Sequence, residues 1–409
     1  MKYLLPILLC FTNAYSQTVN ILFDATKAEM AGNADWVIDA DVFNIGYNSG
    51  PAVVGQGNES NPQKLPTPAQ AGVTSSTAET FWTGALSGWG IDCVKRGYHV
   101  ETLPYNGQIT YGNTGNTQDL SHYKVFIVCE PNIVFSAAEK TALMNFIQNG
   151  GGLFMISDHT VSDRNNDGWD SPDIWNDFIT NNSVQNNAFG MNFDLQNFSE
   201  TSTNIPTLPG DSILHGPMGN VTQVMWSNGT SLTLDPAQNA SVKGVVYKTG
   251  SAFGNTNAMC AYARYGSGKI AAIGDSSPCD DGTGDPNDAL YDGYYTDAAG
   301  NHELLLMNIT IWLATANAAT EVPEINDEEP QLNIFPDPSD GKFTIHNSQF
   351  TIHSVDLYNL LGVKIITMSP SGGGEGGGFS VDLSDRPKGI YFLKIKTEKE
   401  SICRKIVIR

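Results

Sequence analysis

The stretch from Val125 to His159 constrains this chain more than any other. Val125-Phe126-Ile127-Val128-Cys129 is an unbroken apolar run, and Glu130-Pro131 ends it. A run of this kind suits a strand covered on both faces. Ser136-Ala137-Ala138-Glu139 then reads as a capping box. The helix it opens places Leu143, Phe146 and Ile147 on one face and stops at Gly150-Gly151-Gly152. Leu153 to Ser157 is a second apolar run, followed by Asp158-His159. Strand, helix and strand with short connections form a βαβ unit, which implies a parallel sheet and a right-handed crossover.

Elements of the same type lie on either side. Val19 to Phe23 reads as a strand that delivers Asp24, and Tyr98 to Leu103 as another. Between them, Ala25 to Thr74 is rich in Gly, Asn and Pro and is expected to be loops around a short helix near Ala34–Ile38. Ser76-Thr77-Ala78-Glu79 reads as a second capping box, opening a helix that carries Phe81, Leu86, Trp89 and Val94. Strands are expected at Val221–Trp226 and Val242–Lys248, and a hairpin at Ala258–Ile273 turning about Gly266-Ser267-Gly268. A helix from His302 to Ala316 closes this α/β region. Residues 319–331 are acidic and proline-containing, a linker that cannot bury enough apolar surface to fold. From Leu332 onward short strands alternate with turns, the pattern of a small all-β sandwich, with Gly372 to Gly378 as a flexible insertion.

The ends and the charge limit where such a chain works. Met1-Lys2, the apolar run Tyr3–Phe11 and the small residues at Asn13–Ser16 follow the order of a secretory signal, with cleavage expected after Ser16. Leu9 stands before Cys10 where a lipoprotein signal wants a small residue. No later segment is long and apolar enough to serve as a transmembrane anchor. The formal net charge of −21 argues against nucleic acid and anionic membranes as partners. Five cysteines follow the signal, and the four before the tail (Cys93, Cys129, Cys260, Cys279) allow three disulfide pairings or buried thiols.

The tail resembles the C-terminal sorting domains of type IX secretion. The resemblance rests on Asn333-Ile334-Phe335-Pro336-Asp337-Pro338-Ser339-Asp340-Gly341-Lys342-Phe343, then Asp356 to Gly362, Leu383 to Tyr391, and the terminal Arg404 to Ile408. Asp337 stands where Asn is more common in that family. The resemblance implies the secretion machinery and its sorting protease as partners, and a secreted or surface location. Phe335, Phe343, Tyr358, Tyr391 and Phe392 fall inside strand motifs, as core residues would.

Chemistry in an open parallel sheet is expected beyond the carboxyl ends of its strands. Asp24, Glu130, Asp158, His159 and Asp275 occupy those positions here. Asp158, His159, Asp275 and Ser276 are the catalytic candidates, with Asp24, Glu130, Asp280 and Asp281 lining the pocket. Ser276 with His159 as base is one reading, and metal-assisted hydrolysis by Asp24, Asp158, His159 and Asp275 another. Against the first stands the absence of any G-x-S-x-G elbow. Asp163-Arg164-Asn165-Asn166-Asp167-Gly168-Trp169-Asp170 matches the first half of a calcium loop. Its expected ligands are Asp163, Asn165, Asp167, Trp169 and Asp170, with Asp173 or Asp177 in reserve, because Ile174 stands where the closing Glu belongs. Ca²⁺ is the cofactor expected, and no nucleotide.

The region from Val19 to Ala316 resembles the glutamine-amidotransferase-like superfamily in its broad sense. The carrying segments are Phe23-Asp24-Ala25-Thr26, Gly150 to Phe154, Ser157-Asp158-His159 and Gly274-Asp275-Ser276-Ser277-Pro278. The resemblance implies a flavodoxin-like α/β fold over residues 17–318. It does not carry amidotransferase activity, because no Cys sits at a Gly-flanked elbow and Cys129 lacks those flanks. The expected function is a hydrolase-like enzyme acting on an extracellular polysaccharide or another small substrate. The alternative is a calcium-stabilised carbohydrate-binding or adhesion protein.

Overall fold

The computed structural model describes residues 18–31, 34–39, 69–284, 293–295, 300–315, 333–346, 352–359, 364–369, 379–397 and 401–409. The signal segment 1–16, the linker 319–331 and the insertion Gly372–Gly378 lie outside the described residues. The chain divides into two compact units, residues 1–318 and 319–409.

The first unit is built outward from the βαβ segment. In chain order its elements are β1 (Asn20–Asp24), α1 (Ser87–Lys95), β2 (His99–Leu103), β3 (Val125–Cys129), α2 (Ala137–Gln148), β4 (Gly152–Ile156), α3 (Ser171–Thr180), β5 (Met191–Phe193), β6 (Phe198–Ser202), β7 (Val224–Gly229), β8 (Leu232–Leu234), β9 (Lys243–Tyr247), β10 (Ala258–Tyr265), β11 (Gly268–Ile273) and α4 (His302–Ala314). Among the described residues, nine of these strands form one sheet in the order β2-β1-β3-β4-β11-β10-β8-β5, with β9 also paired to β10. The first five run parallel. From β10 onward the pairing is antiparallel. The sheet is therefore mixed, not the parallel sheet expected. The β10–β11 hairpin turns the chain back, and the three-residue strands β5 and β8 extend the edge. Strands so short carry no readable periodicity.

Side-chain alternation splits the core into two layers. Ile21, Phe23, Val125, Ile127, Phe154 and Ile156 face α1 and α4 with Trp89, Leu305 and Ile309. Leu22, Phe126, Val128, Leu153 and Met155 face α2 and α3 with Leu143, Trp175 and Phe178. Both faces of the parallel strands are thus covered, which is why β3 and β4 read as unbroken apolar runs. The Ser136 capping box forms as expected: Glu139 N donates to Ser136 Oγ, and Ser136 N to Glu139 Oε2. Gly268 lets the hairpin touch α2, since a Cβ there would lie 1.9 Å from Ile147 O.

Two helix expectations fail. Residues 76–79 open only a 3-10 turn at Glu79–Phe81, and α1 begins later, at Ser87. The Thr77 hydroxyl accepts from Thr74 N instead of capping a helix, and Gly84 presses on Val37 O, where a Cβ would come within 2.4 Å. The helix near Ala34–Ile38 is absent as well. Ala34–Asp35 instead pairs with Met30–Ala31 as a two-residue ladder.

In the second unit, β12 (Asn333–Phe335), β13 (Lys342–His346) and β16 (Phe379–Asp382) make one antiparallel sheet. A second contains β14 (Ile352–Tyr358), β15 (Lys364–Met368), β17 (Gly389–Thr397) and β18 (Ser401–Ile408). Phe343, Val355, Leu357, Leu393, Ile395 and Ile406 fill the space between them. Phe343 and Tyr391 are buried as expected, but Phe335 is 76% exposed and Phe392 40% exposed. Tyr391 and Phe392 are neighbours on one strand, so only one of the pair can face inward.

Candidate functional site

Three carboxyl groups meet at the carboxyl edge of the parallel strands. Glu130 follows β3, Asp158 lies two residues beyond β4, and Asp275 two residues beyond β11. All are buried, with exposures of 0%, 3% and 0%. The Glu130 backbone adopts a left-handed φ of 50°. A bulky residue held there is strained, so the surroundings must fix it. They do so through both ends of the residue. Its N–H continues the ladder to Ile156 O at 3.0 Å. Its carboxylate accepts from Trp36 Nε1 at 2.8 Å, Ser276 Oγ at 2.7 Å, and Arg164 Nε and Nη2 at 3.3 and 3.2 Å.

Arg164 also reaches Asp158 Oδ2 at 2.9 Å, and its side chain is 22% exposed. It is the cation that Glu130 and Asp158 share. Asp275 accepts from Ser277 N at 2.9 Å and from Ser227 N, which belongs to β7. Burial raises the pKa of every member. Asp158 is pushed up to about 7, by burial before all other causes. Asp275 is pushed up to about 8 by burial, with Glu130 adding repulsion. Glu130 is raised well above the ordinary range by burial and by the charge of Asp158. Asp158 and Asp275 thus keep protons close to neutral pH, which is the state a general acid requires.

Asp24 joins a different group. Its neighbours are Glu29, Lys27 and Thr26, and burial raises both acids. Asp24 Oδ1 accepts from Thr26 N at 3.1 Å, and Glu29 Oε2 from Lys27 N at 2.8 Å. Asp281 caps α1, accepting from Gly88 N at 2.5 Å, and burial pushes it up to about 7. Asp280 is buried and accepts from Gly282 N at 2.9 Å. Of the expected pocket residues, then, Glu130 lies within the cluster, whereas Asp24 and Asp281 serve other structures.

Ser276 and His159 do not pair. The Ser276 hydroxyl donates to Glu130. His159 Nδ1 lies 2.5 Å from Thr160 O, and its Nε2 is 3.8 Å from Asp158 Oδ2, too long for a hydrogen bond. The acidic loop is closed on itself. Asp163 accepts from Asp167 N and Gly168 N, Asn165 from Asp167 N, and Asp167 from Trp169 N. Asp170 accepts from Thr160 Oγ1, Val161 N and Ser162 N. Among the described residues no group of three or more His, Cys, Asp or Glu is placed to hold a metal. Cys93, Cys129, Cys260 and Cys279 are buried free thiols, and Cys129 neighbours Cys279.

Sequence reasoning missed Arg164 and Trp36, two of the three side chains that donate to Glu130. Arg164 was hidden inside a motif read for its acids. Trp36 stood in a stretch with no period.

A family model described as the secretion system C-terminal sorting domain matches residues 333–409. The tail is a type IX sorting domain. The sorting domain makes the protein a cargo of that system, delivered to the outer cell surface or the extracellular space. Among the described residues no helix is long and apolar enough to cross a membrane. No curated protein matches the chain. Among solved structures, the mmIFT52 N-terminal domain is 13% identical with a TM-score of 0.41, covering 73% of this chain and 98% of its own. A β-galactosidase from Rahnella sp. R3 is 11% identical with a TM-score of 0.32, covering 89% of this chain and 40% of its own. A cytoplasmic protein from Salmonella typhimurium is 12% identical with a TM-score of 0.32, covering 55% and 85%. Likeness at this level assigns neither a family nor an activity to residues 1–318.

Proposed function

We propose that the cargo unit is a hydrolase-like enzyme whose acid–base machinery is the Glu130–Asp158–Asp275 cluster. The observation that carries this reading is Glu130, held in a left-handed conformation at a strand end among carboxyls that keep protons near pH 7. Strain and displaced pKa values at one buried point are features that catalysis uses. Glu130 also follows β3, beside the point between β1 and β3 where the strand order β2-β1-β3-β4 reverses direction. Ligands of open α/β sheets bind at such a point, and this order supports a flavodoxin-like, amidotransferase-like scaffold without its Cys nucleophile. Arg164 and His159 are the cluster's partly exposed members, so substrate approaches across them. One carboxylate activates water while a protonated partner supplies the leaving group with its proton. The substrate class is an extracellular polymer or its fragments.

The test is hydrolysis of a panel of extracellular polysaccharides and esters by the secreted protein and by Glu130→Gln and Asp158→Asn. The reading expects the wild type to turn over a substrate and each variant to lose at least about 100-fold in kcat/KM. Turnover unchanged in both variants overturns it. A wild type that binds a panel member without cleaving it favours the binding-protein reading, which the full hydrogen bonding of the Glu130 carboxylate supports.

A further inference from the structure

A second concavity lies far from the carboxyl cluster in the strand direction. Arg264 on β10 pairs with Lys269, which in turn pairs with Gly152 at the start of β4. The carboxyl cluster instead follows the ends of β3, β4 and β11. The concavity encloses about 530 Å³, and its walls are the loop 208–213, β9, β10 and the end of α4. That volume falls in the range of small-molecule sites.

We propose that this cavity binds a small polyhydroxylated anion, specifically a uronic-acid sugar of one or two units. The charge argument comes first. Lys243 on β9 pairs with Tyr262 on β10, and Arg264 lies two residues further along β10, so all three side chains share one face. Lys243 is exposed, and no hydrogen bond or ion pair engages its ammonium among the described residues. The acid in the wall is already engaged. Asp211 Oδ1 accepts from Ile213 N at 2.9 Å and Leu214 N at 3.1 Å, and Oδ2 accepts from Tyr262 Oη at 2.7 Å. In a chain of net charge −21 the described part of this wall therefore carries the Lys243 ammonium beside Arg264, and its one carboxylate, Asp211, is committed.

The remaining walls suit a sugar more than a bare ion. The Tyr262 ring packs against Trp312 at 4.9 Å, and the Arg264 guanidinium stands over the same indole at 5.8 Å from its centroid. Arg264 N is anchored to Ser241 Oγ at 2.9 Å. These contacts hold the guanidinium on a rigid aromatic support, so little freedom is lost when it binds a carboxylate. Tyr262 gives its proton to Asp211, which leaves the phenol oxygen as an acceptor for a sugar hydroxyl.

The test is calorimetry on the secreted protein with digalacturonate and with the neutral disaccharide galactobiose, at low and high salt. Digalacturonate is expected to bind, to bind at least tenfold more tightly than galactobiose, and to weaken with salt. Lys243→Ala, an exposed position, is expected to lose roughly tenfold or more in affinity, the effect of one charge-assisted hydrogen bond. Tyr262→Phe checks the hydroxyl contact separately. Glu130→Gln is expected to leave this affinity unchanged, which separates this cavity from the carboxyl cluster. No binding at millimolar sugar, equal binding of the neutral disaccharide, or unchanged affinity in Lys243→Ala each overturns the proposal.

Discussion

Replacing Arg164 by Met removes the cation that Glu130 and Asp158 share while keeping an unbranched side chain of similar reach. Three hydrogen bonds disappear, two to Glu130 and one to Asp158. Breaking a buried ion pair from one side costs about 3–5 kcal/mol. The guanidinium is partly exposed, so a discounted loss of about 2–4 kcal/mol is expected at pH 8. The loss should depend on pH, and its sign follows from linkage. Asp158 and Asp275 have folded values of about 7 and about 8, above their ordinary value of 3.8. Their contribution to stability is therefore complete below about pH 4 and fades as pH rises through 7 and 8. Without Arg164 the cluster retains one more proton across this window, which steepens the decline by about 1.4 kcal/mol per pH unit for each proton held. Between pH 6 and pH 8 the variant should thus fall behind the wild type by up to roughly 3 kcal/mol more. Near pH 5 the deficit should shrink to about 1 kcal/mol, the size of the neutral hydrogen bonds lost. Urea denaturation of both proteins at pH 5, 6.5 and 8 measures this directly. An equal deficit at pH 5 and pH 8 would refute the claim that the carboxyls exchange protons for the missing cation.

Ser136→Ala removes one half of the α2 capping box and should cost about 1 kcal/mol in chemical denaturation, with the m-value unchanged. The Ca²⁺ expected at loop 163–170 is tested by chelation: that expectation requires the melting temperature to fall by several degrees, and an unchanged melting temperature refutes it. Gly268→Ala drives a methyl group into Ile147 O and should destabilise by about 1–3 kcal/mol or more, read as a lowered urea midpoint. Deleting residues 333–409 should retain the cargo inside the cell, measured by fractionating cells from medium, because the sorting domain directs export.

How legible the molecule was depended on the range of the forces involved. The βαβ segment could be read because both of its strands are buried on both faces and its helix is capped locally. The sorting tail could be read because its motifs lie in consecutive strands. Residues 76–79 misled because a local capping pattern competed with the close approach of Gly84 to Val37, a contact made by chain 47 residues before Gly84. Ala34–Asp35, which pairs with Met30–Ala31 in a two-residue ladder, was misread as the start of a helix for a related reason: so short a segment is governed by what it packs on.

The same division runs through the candidate site. Placement of Glu130, Asp158 and Asp275 after apolar runs was written in the sequence, because a parallel strand delivers the residue that follows it to one edge. The sequence also settled the route of export, since a sorting domain is recognised from its own motifs. What these carboxyls do to one another required the tertiary structure. Arg164 arrives from the acidic loop, Trp36 from the segment after β1, Ser227 from β7, and Ser276 donates to Glu130. A strand end can be counted along the chain. Burial, the choice of counter-ion and the pKa values that follow depend on which distant segments close over it, and only the fold decides that.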